Sequence, residues 1–376
     1  MAKKLVIVGG GHASMPLVKM GKKWQSYGIE ITLISENPYL IYSGALPQFM
    51  GGFYDWAQTA IDLRKLAENY SVKFIQSRIE AIDEQEMRVY SKEGQAYSFD
   101  YLVINVGAET AKFASQDDVV PVKPMNQLVT LRNDLKSGKI KSLLIAGGGA
   151  AGAELALNIT HPLSFCAPKI TLLESGERLL SGFPHRLSEK VHTQLLERSV
   201  DVKIDTPHES GMAGNFDAVL VAVGNRPVSE NITHTLAEGA GGRILTDRTL
   251  RVQGSEQIFA AGDTADVGGE NYRAIGVHAV KQGVVLRQNI MSLLKGSALQ
   301  EYKPYPAHPL IISNGPDHAF FVLRRIMFDG RWAAILKHIL DMNWLEKYTL
   351  PEDDRRSYSK LLMAGVDRTQ RKYTAS

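Results

Sequence analysis

Two glycine patterns and a few acidic residues carry the chemistry this sequence declares first. In Gly147-x-Gly149-x-x-Gly152 the first glycine permits a tight turn, the second lets backbone approach a pyrophosphate, and the third lets a helix pack on a strand. The phosphate then meets a helix N-terminus, where unpaired N–H groups attract an anion. Glu174 ends the next strand, where a carboxylate accepts hydrogen bonds from a ribose 2′-hydroxyl and repels a 2′-phosphate. That choice favours NADH over NADPH. An earlier, less regular copy reads Gly9-x-Gly11-x-x-Ser14, with Ser35 and Glu36 both able to meet a ribose. The segment Gln257 to Asp263 is a strand whose Gly262 allows close approach while Asp263 can bind a ribityl hydroxyl.

Strands and helices must hold these loops in place. Lys4 to Val8 and Ser142 to Ala146 are short apolar runs ending in glycine, the pattern of a buried parallel strand that feeds directly into a helix. Ala150 to Asn158 is a strong helix-forming stretch. Second strands follow at Ile29 to Ser35 and Lys169 to Glu174, as βαβ crossovers require. A further pair, Phe99 to Gly107 and Phe216 to Gly224, shares an aromatic-Asp start, an apolar strand and a terminal glycine. The repetition predicts an α/β chain with two Rossmann-like dinucleotide-binding domains and a C-terminal region of helix and strand. The expected division is 1–115 with 245–305 for FAD, 116–244 for the nicotinamide nucleotide, and 306–376 for the tail. Pro121, Pro124 and the polar stretch near Lys136 to Lys141 read as a linker.

Composition narrows the partners. With 376 residues, 44% of them hydrophobic, the chain is long enough for two or three cores. A net charge of +3 gives no global field for nucleic acid. The start MAKKLVIVGGG runs straight into a strand, so the expectation is cytoplasmic synthesis without export. No apolar run approaches the roughly 18 to 20 residues of a membrane-spanning helix, so the chain is expected to be soluble or attached peripherally at the inner face of the cell membrane. Cys166 is the only cysteine, which excludes an intramolecular disulfide and a four-thiolate metal cluster. Its segment reads as a loop and its role as structural. No His/Cys/Asp spacing suggests a metal.

The motifs VIVGGGHAS, YLVINVGA, AGGGAAGAELA, VAVGNRP and IFAAGDTADV, in that order, resemble the pyridine-nucleotide flavoprotein oxidoreductases over about residues 1 to 300. The stretches ISENPYLIYSGALPQFMGG, RAIGVHAVKQG and HAFFVLRRIMFDGRWAAILKHILDMNWLEKY look like the type II NADH dehydrogenase-like branch, nearest to the flavoprotein domains fused to selenide, water dikinases. The resemblance implies FAD on the first loop (Gly9, Gly11, His12, Ala13, Ser14), with Gly107, Gly262 and Asp263. It implies NADH on the second loop, with Glu174 and Gly224. Tyr42, Gly44 and Pro47 would lie near the isoalloxazine, and Glu154 near flavin and nicotinamide as an orienting or proton-carrying carboxylate.

The same resemblance implies hydride transfer from NADH to flavin N5, then reoxidation by a second acceptor. A single thiol cannot reproduce the paired cysteines of disulfide reductases or sulfide:quinone reductases. Quinone-reducing members carry an AQxAxQ segment, whose counterpart Gly276 to Lys281 lacks both glutamines. Lys281 is instead a candidate to stabilise reduced flavin near N1 or O2. His12, His278 and His318 are candidates for proton exchange. Trp332, Ile335, Leu336, Ile339, Leu340 and Trp344 fall at helical spacing, with Lys337, His338 and Asp341 on other faces. With Arg324, Arg325 and Arg331 nearby they read as a membrane-surface helix, or as one packed over the flavin domain. The electron acceptor stays open between a quinone and a protein or selenium-linked acceptor, and a non-catalytic nucleotide sensor and a homodimer are further alternatives.

Overall fold

The computed structural model describes residues 2–111, 119–165, 167–207, 212–270, 276–304 and 309–350. Cys166, the Arg273 to Ile275 part of the RAIGVH stretch and the tail from 351 therefore lie outside the described residues. The apolar runs that end in glycine form the centres of two parallel five-stranded sheets. In the first, Lys3–Val8 lies between Tyr101–Ile104 and Ile29–Ser35, with Ile258–Ala260 and Lys73–Gln76 at the edges. In the second, Ser142–Ala146 lies between Ala218–Val221 and Lys169–Leu173, with Val119–Pro121 and Asp201–Lys203 at the edges.

Four strands of each sheet thus repeat one order, the fifth coming from later in the chain in the first sheet and from earlier in the second, and the repeated Phe-Asp pairs have a common task. Asp100 Oδ2 accepts from Lys4 N–H at 2.6 Å, and Asp217 Oδ2 accepts from the N–H groups of Lys141 and Ser142 at 2.8 and 2.9 Å. Each aspartate pins the start of its glycine strand and so sets the register that places the glycine loop. These backbone donors hold Asp217 below the usual carboxylate range. Leu5 to Val8, Tyr101 to Ile104, Leu143 to Ala146 and Ala218 to Val221 are all buried. Each buried Leu, Ile or Val contributes roughly 1.5–3 kcal/mol relative to exposure, which anchors the loops at the strand ends.

Pro121 does not lie in a linker. It is paired with Val221 in an edge strand, where a residue without an N–H leaves no ladder bond broken on the solvent side. The chain passes between the sheets through an antiparallel pair, Ala108–Thr110 with Asn225–Pro227. We propose the domain division expected from sequence, since Ile258–Ala260 returns to the first sheet. The later region forms an antiparallel three-stranded sheet, Leu310–Ser313, Ala319–Leu323 and Ile326–Gly330, followed by the helix Arg331–Glu346.

Candidate flavin and nucleotide site

A cavity of about 390 Å³ opens at the carboxyl ends of the first sheet's strands, where open α/β sheets bind ligands. Its wall includes Gly9, Gly10, Gly11, His12, Ser35, Glu36, Gly107, Gly262 and Asp263, so the expected FAD residues from four separate segments meet there. Ala13 and Ser14 are buried behind the turn. Gly9 has φ +97°, and a Cβ on it would stand 2.2 Å from the Asn105 carbonyl oxygen, so only glycine serves. Ser14 replaces the third glycine without loss: its Oγ donates to the Gly9 carbonyl at 2.7 Å and closes the turn. The Ser35 hydroxyl is spent on Asn37 O at 2.9 Å, which leaves exposed Glu36 as the side chain turned to the cavity without that local bond.

Asn105 was not singled out from sequence, yet it organises the cavity. Its Nδ2 donates to Ala261 O at 2.8 Å, and its Oδ1 lies 3.3 Å from Ser14 Oγ in the glycine turn. One buried amide thereby ties the glycine turn to the Asp263 turn. The only signal was a polar residue at the end of an otherwise apolar strand. Lys123 was missed as well: its Nζ lies 2.5 Å from Asp263 Oδ2. The helix Gly276–Lys295 brings Gly276 and Ala279 to the cavity, whereas Lys281, half-buried, is not among the lining residues. Gln282, next to the position where glutamine was missing, accepts from Gly262 N–H at 2.6 Å.

These residues fit FAD. The glycine turn is open to backbone approach, Asp263 and Glu36 offer carboxylates to sugar hydroxyls, and the buried His12 Nε2 has no hydrogen-bond partner. Burial pushes the His12 imidazolium down to about 4, Asp263 opposing and Lys123 reinforcing the shift. The folded chain therefore keeps His12 neutral, while the unfolded chain binds a proton below about 6.5. For FAD-free protein, stability should fall as pH drops from about 6.5 toward 4, by up to roughly 3 kcal/mol from this group. Urea denaturation of wild type and His12→Gln at pH 7.5 and 4.5 checks this: the glutamine variant should lose less stability on acidification.

The second loop follows the same plan. Gly147 has φ +107°, and a Cβ on Gly152 would stand 1.9 Å from the Gly147 carbonyl oxygen, which explains the third glycine. Glu174 receives the Gly148 N–H on Oε2 and the Gly176 N–H on Oε1, both at 2.8 Å. Oε1 also lies 3.5 Å from Ser175 Oγ, and Oε2 keeps a lone pair for a sugar hydroxyl. Gly224 turns with φ +48° beside Ala111, at the crossing between the sheets. Charged hydrogen bonds are worth about 1.5–3 kcal/mol. Glu174→Ala is therefore expected to raise KM for NADH by roughly ten- to a hundredfold, with a smaller effect on NADPH, measured by steady-state kinetics with both nucleotides.

A third cluster joins the two loops to the C-terminal region. Glu154 Oε1 accepts from both the N–H and Oγ of Ser313, at 2.7 and 2.8 Å. Lys337 Nζ donates to Gly44 O and pairs with Asp341 at 2.8 Å, both side chains being 6% exposed. Asp341 also faces Tyr42, whose phenol is pushed up by burial and then by this carboxylate. Burial pushes the Glu154 carboxyl up more strongly than the Lys337 ammonium and the Ser313 donors pull it down. Tyr42 stacks on Trp344 with ring centroids 4.6 Å apart, and His12 lies 4.9 Å from the same indole. Ile41 and Ser43 line the cavity, while Tyr42, Gly44 and buried Pro47 are not among its lining residues.

The Arg331–Glu346 helix buries an ion pair and leaves most of its apolar residues outward. Lys337 and Asp341 are buried, and Trp332, Ile335, Ile339 and Leu340 are 43–52% exposed. The sequence left the placement of this apolar side open; the buried ion pair takes the inward side and leaves the apolar one outward. Only Trp344 of that apolar set turns inward fully. Of the other two candidate histidines, buried His278 has Nδ1 2.6 Å from the Tyr302 hydroxyl, and half-buried His318 meets Phe320 edge-on. Among the described residues, no group of His, Cys, Asp and Glu could hold a metal, and no helix is long and apolar enough to cross a membrane.

Comparison with known proteins gives the family. The model of the pyridine nucleotide-disulphide oxidoreductases matches residues 3–283. A type II NADH:quinone oxidoreductase of Staphylococcus epidermidis is 24% identical, over 92% of this chain and 96% of that protein. Among solved structures, the sulfide:quinone oxidoreductase of Aquifex aeolicus superposes with a TM-score of 0.73 at 18% identity, covering 92% of this chain and 91% of that one. NDH2 from Plasmodium falciparum in complex with NADH superposes with a TM-score of 0.71 at 14% identity, covering 93% and 99%. With two glycine loops on repeated parallel sheets and a family match spanning most of its length, the chain belongs to the pyridine nucleotide-disulphide oxidoreductase family and is an FAD-dependent oxidoreductase.

Proposed function

We propose that this enzyme oxidises NADH through FAD and delivers the electrons to a quinone at a membrane surface. FAD, when bound, supplies a carrier that takes two electrons from NADH and releases them to the acceptor. The first loop with Glu36 and Asp263 holds FAD, and the second loop with Glu174 holds NADH. The similar Staphylococcus protein, named for NADH and quinone, supports the choice of both substrates. The observation that carries the reading is the two-sided C-terminal helix: an apolar outer side of Trp332, Ile335, Ile339 and Leu340 backs onto a buried cluster of Lys337, Asp341 and Glu154.

Such an arrangement suits an acceptor that arrives from lipid and leaves with protons. Exposed Ile326 and Phe328 extend the apolar side, and exposed Arg324, Arg325 and Arg331 flank it, as expected of a surface that meets anionic lipid. Glu154 keeps its proton to a higher pH than an ordinary carboxyl, and with Oε1 taken by Ser313 that proton belongs on Oε2. Lys337 stays charged beside Gly44: burial works against the ammonium, and the Asp341 carboxylate outweighs it. Together they offer one transferable proton and one fixed positive charge next to the Tyr42 to Pro47 turn.

The test compares wild type with Ile339→Glu/Leu340→Glu on vesicles containing phosphatidylglycerol. Wild type should co-sediment with the vesicles and reduce an embedded long-tailed quinone. The double variant should stay in solution and lose at least about tenfold of that activity, while keeping its rate with a short water-soluble quinone. A wild type that neither binds vesicles nor reduces the embedded quinone defeats the reading.

A further inference from the structure

The cation against Asp263 comes from the other sheet. Lys123 follows the edge strand Val119–Pro121 of the second sheet, whereas Asp263 follows Ile258–Ala260 of the first. Its backbone is fixed from both sides: Lys123 N–H donates to Thr110 Oγ1 at 2.9 Å, and Thr110 N–H donates to Lys123 O at 3.0 Å. The Lys123 side chain is 25% exposed and that of Asp263 14%, so this pair sits in the cavity wall rather than in open water.

The charges around the cavity give the pair its meaning. Glu36, Glu109 and Asp263 line it against Arg78 and Lys123, and Glu109 is already held by Arg226 at 2.5 Å. An FAD pyrophosphate adds two negative charges to this wall, and reduction of the flavin adds more. We propose that Lys123 is an FAD-binding residue supplied by the nucleotide half of the molecule. Its ammonium shares itself between Asp263 and the bound cofactor, and its fixed charge favours the reduced, more negative flavin. This rests on the FAD reading of the cavity. It adds a consequence: the half that binds NADH also tunes the flavin that receives its electrons.

The test uses the purified holoprotein, Lys123→Met and Lys123→Arg, with three readouts: flavin content, FAD affinity after removal and back-titration, and midpoint potential against reference dyes. The methionine variant should bind FAD at least about tenfold more weakly, and its reduction equilibrium should fall about tenfold, about 30 mV for a two-electron couple. The arginine variant, which keeps the charge, should recover most of both. Should the methionine variant fail to fold, Lys123→Gln carries the same expectation. A neutral variant that holds FAD with unchanged affinity and potential overturns the proposal. So does one that loses only thermal stability, since Lys123 would then be an interdomain tie. A wild type that binds no flavin at all would instead overturn the FAD reading itself.

Discussion

Asp263→Ala should purify as a folded protein nearly free of flavin, with NADH oxidation lost in proportion. The carboxylate lies 14% exposed in the wall that the Gly9 to Gly11 turn completes. No other carboxylate among the described residues at that turn of the cavity replaces it, since Glu109 is bound to Arg226. Charged hydrogen bonds to a sugar hydroxyl are worth about 1.5–3 kcal/mol each, enough to weaken FAD by roughly ten- to a hundredfold. The fold should persist, because Lys123 is partly exposed and can turn to water. The ratio of flavin to protein absorbance, beside a circular dichroism spectrum, checks this. Stoichiometric FAD in the alanine variant would remove Asp263 from the site.

The second large effect concerns the buried ions. Lys337→Met leaves the Asp341 carboxylate buried beside Tyr42 without its partner. Removing one member of a buried pair typically costs about 3–5 kcal/mol, so this variant should be strongly destabilised in urea. The double variant Lys337→Met/Asp341→Leu, which replaces the pair by apolar groups of similar size, should regain much of that stability. It should nonetheless remain impaired in passing electrons to quinone. That split separates stability from function. Glu154→Gln completes the series: its side-chain oxygen can still accept from Ser313, but it has no proton to lose. Its reoxidation rate should be low and flat with pH, whereas the wild-type rate should decline as pH rises through the raised Glu154 pKa. A sloping profile in the glutamine variant would assign the titration elsewhere.

What the sequence made legible were features written in consecutive residues. The glycine strands, the paired Phe-Asp starts and the Gly262-Asp263 turn are local, because a buried parallel strand and the turn that ends it are each encoded within a few positions. Their repetition disclosed two similar sheets before any contact was known. Asn105, Lys123, Lys337 and Asp341 were not legible as site residues, because each acquires its role from a partner far along the chain. Asn105 reaches Ala261, Lys123 reaches Asp263, and Lys337 reaches Gly44. The Arg331–Glu346 helix shows the limit most clearly. Periodicity identified a helix with two unlike sides, but which side faces inward depended on the Gly44 carbonyl and Glu154 waiting there to receive a cation.

The absence of both AQxAxQ glutamines argued from sequence against quinone as acceptor. In the folded chain the corresponding helix start gives Gly276 and Ala279 to the cavity and Gln282 to Gly262. Polar contacts near the Tyr42 to Pro47 turn come instead from the C-terminal helix, through Lys337 and Asp341. The quinone reading therefore depends on a different element from the one that the motif would have supplied. It makes the C-terminal helix, rather than the Gly276–Lys295 helix, the place where acceptor specificity should be altered by mutation.

The most direct measurement is anaerobic stopped-flow of the flavin absorbance. NADH should bleach the bound flavin rapidly, and the reduced protein is then mixed separately with a quinone, a ferredoxin-type protein, a selenium compound and oxygen. Fast recovery of the flavin band with quinone, well ahead of the other three, is the predicted result. Recovery with quinone no faster than with buffer would contradict the account.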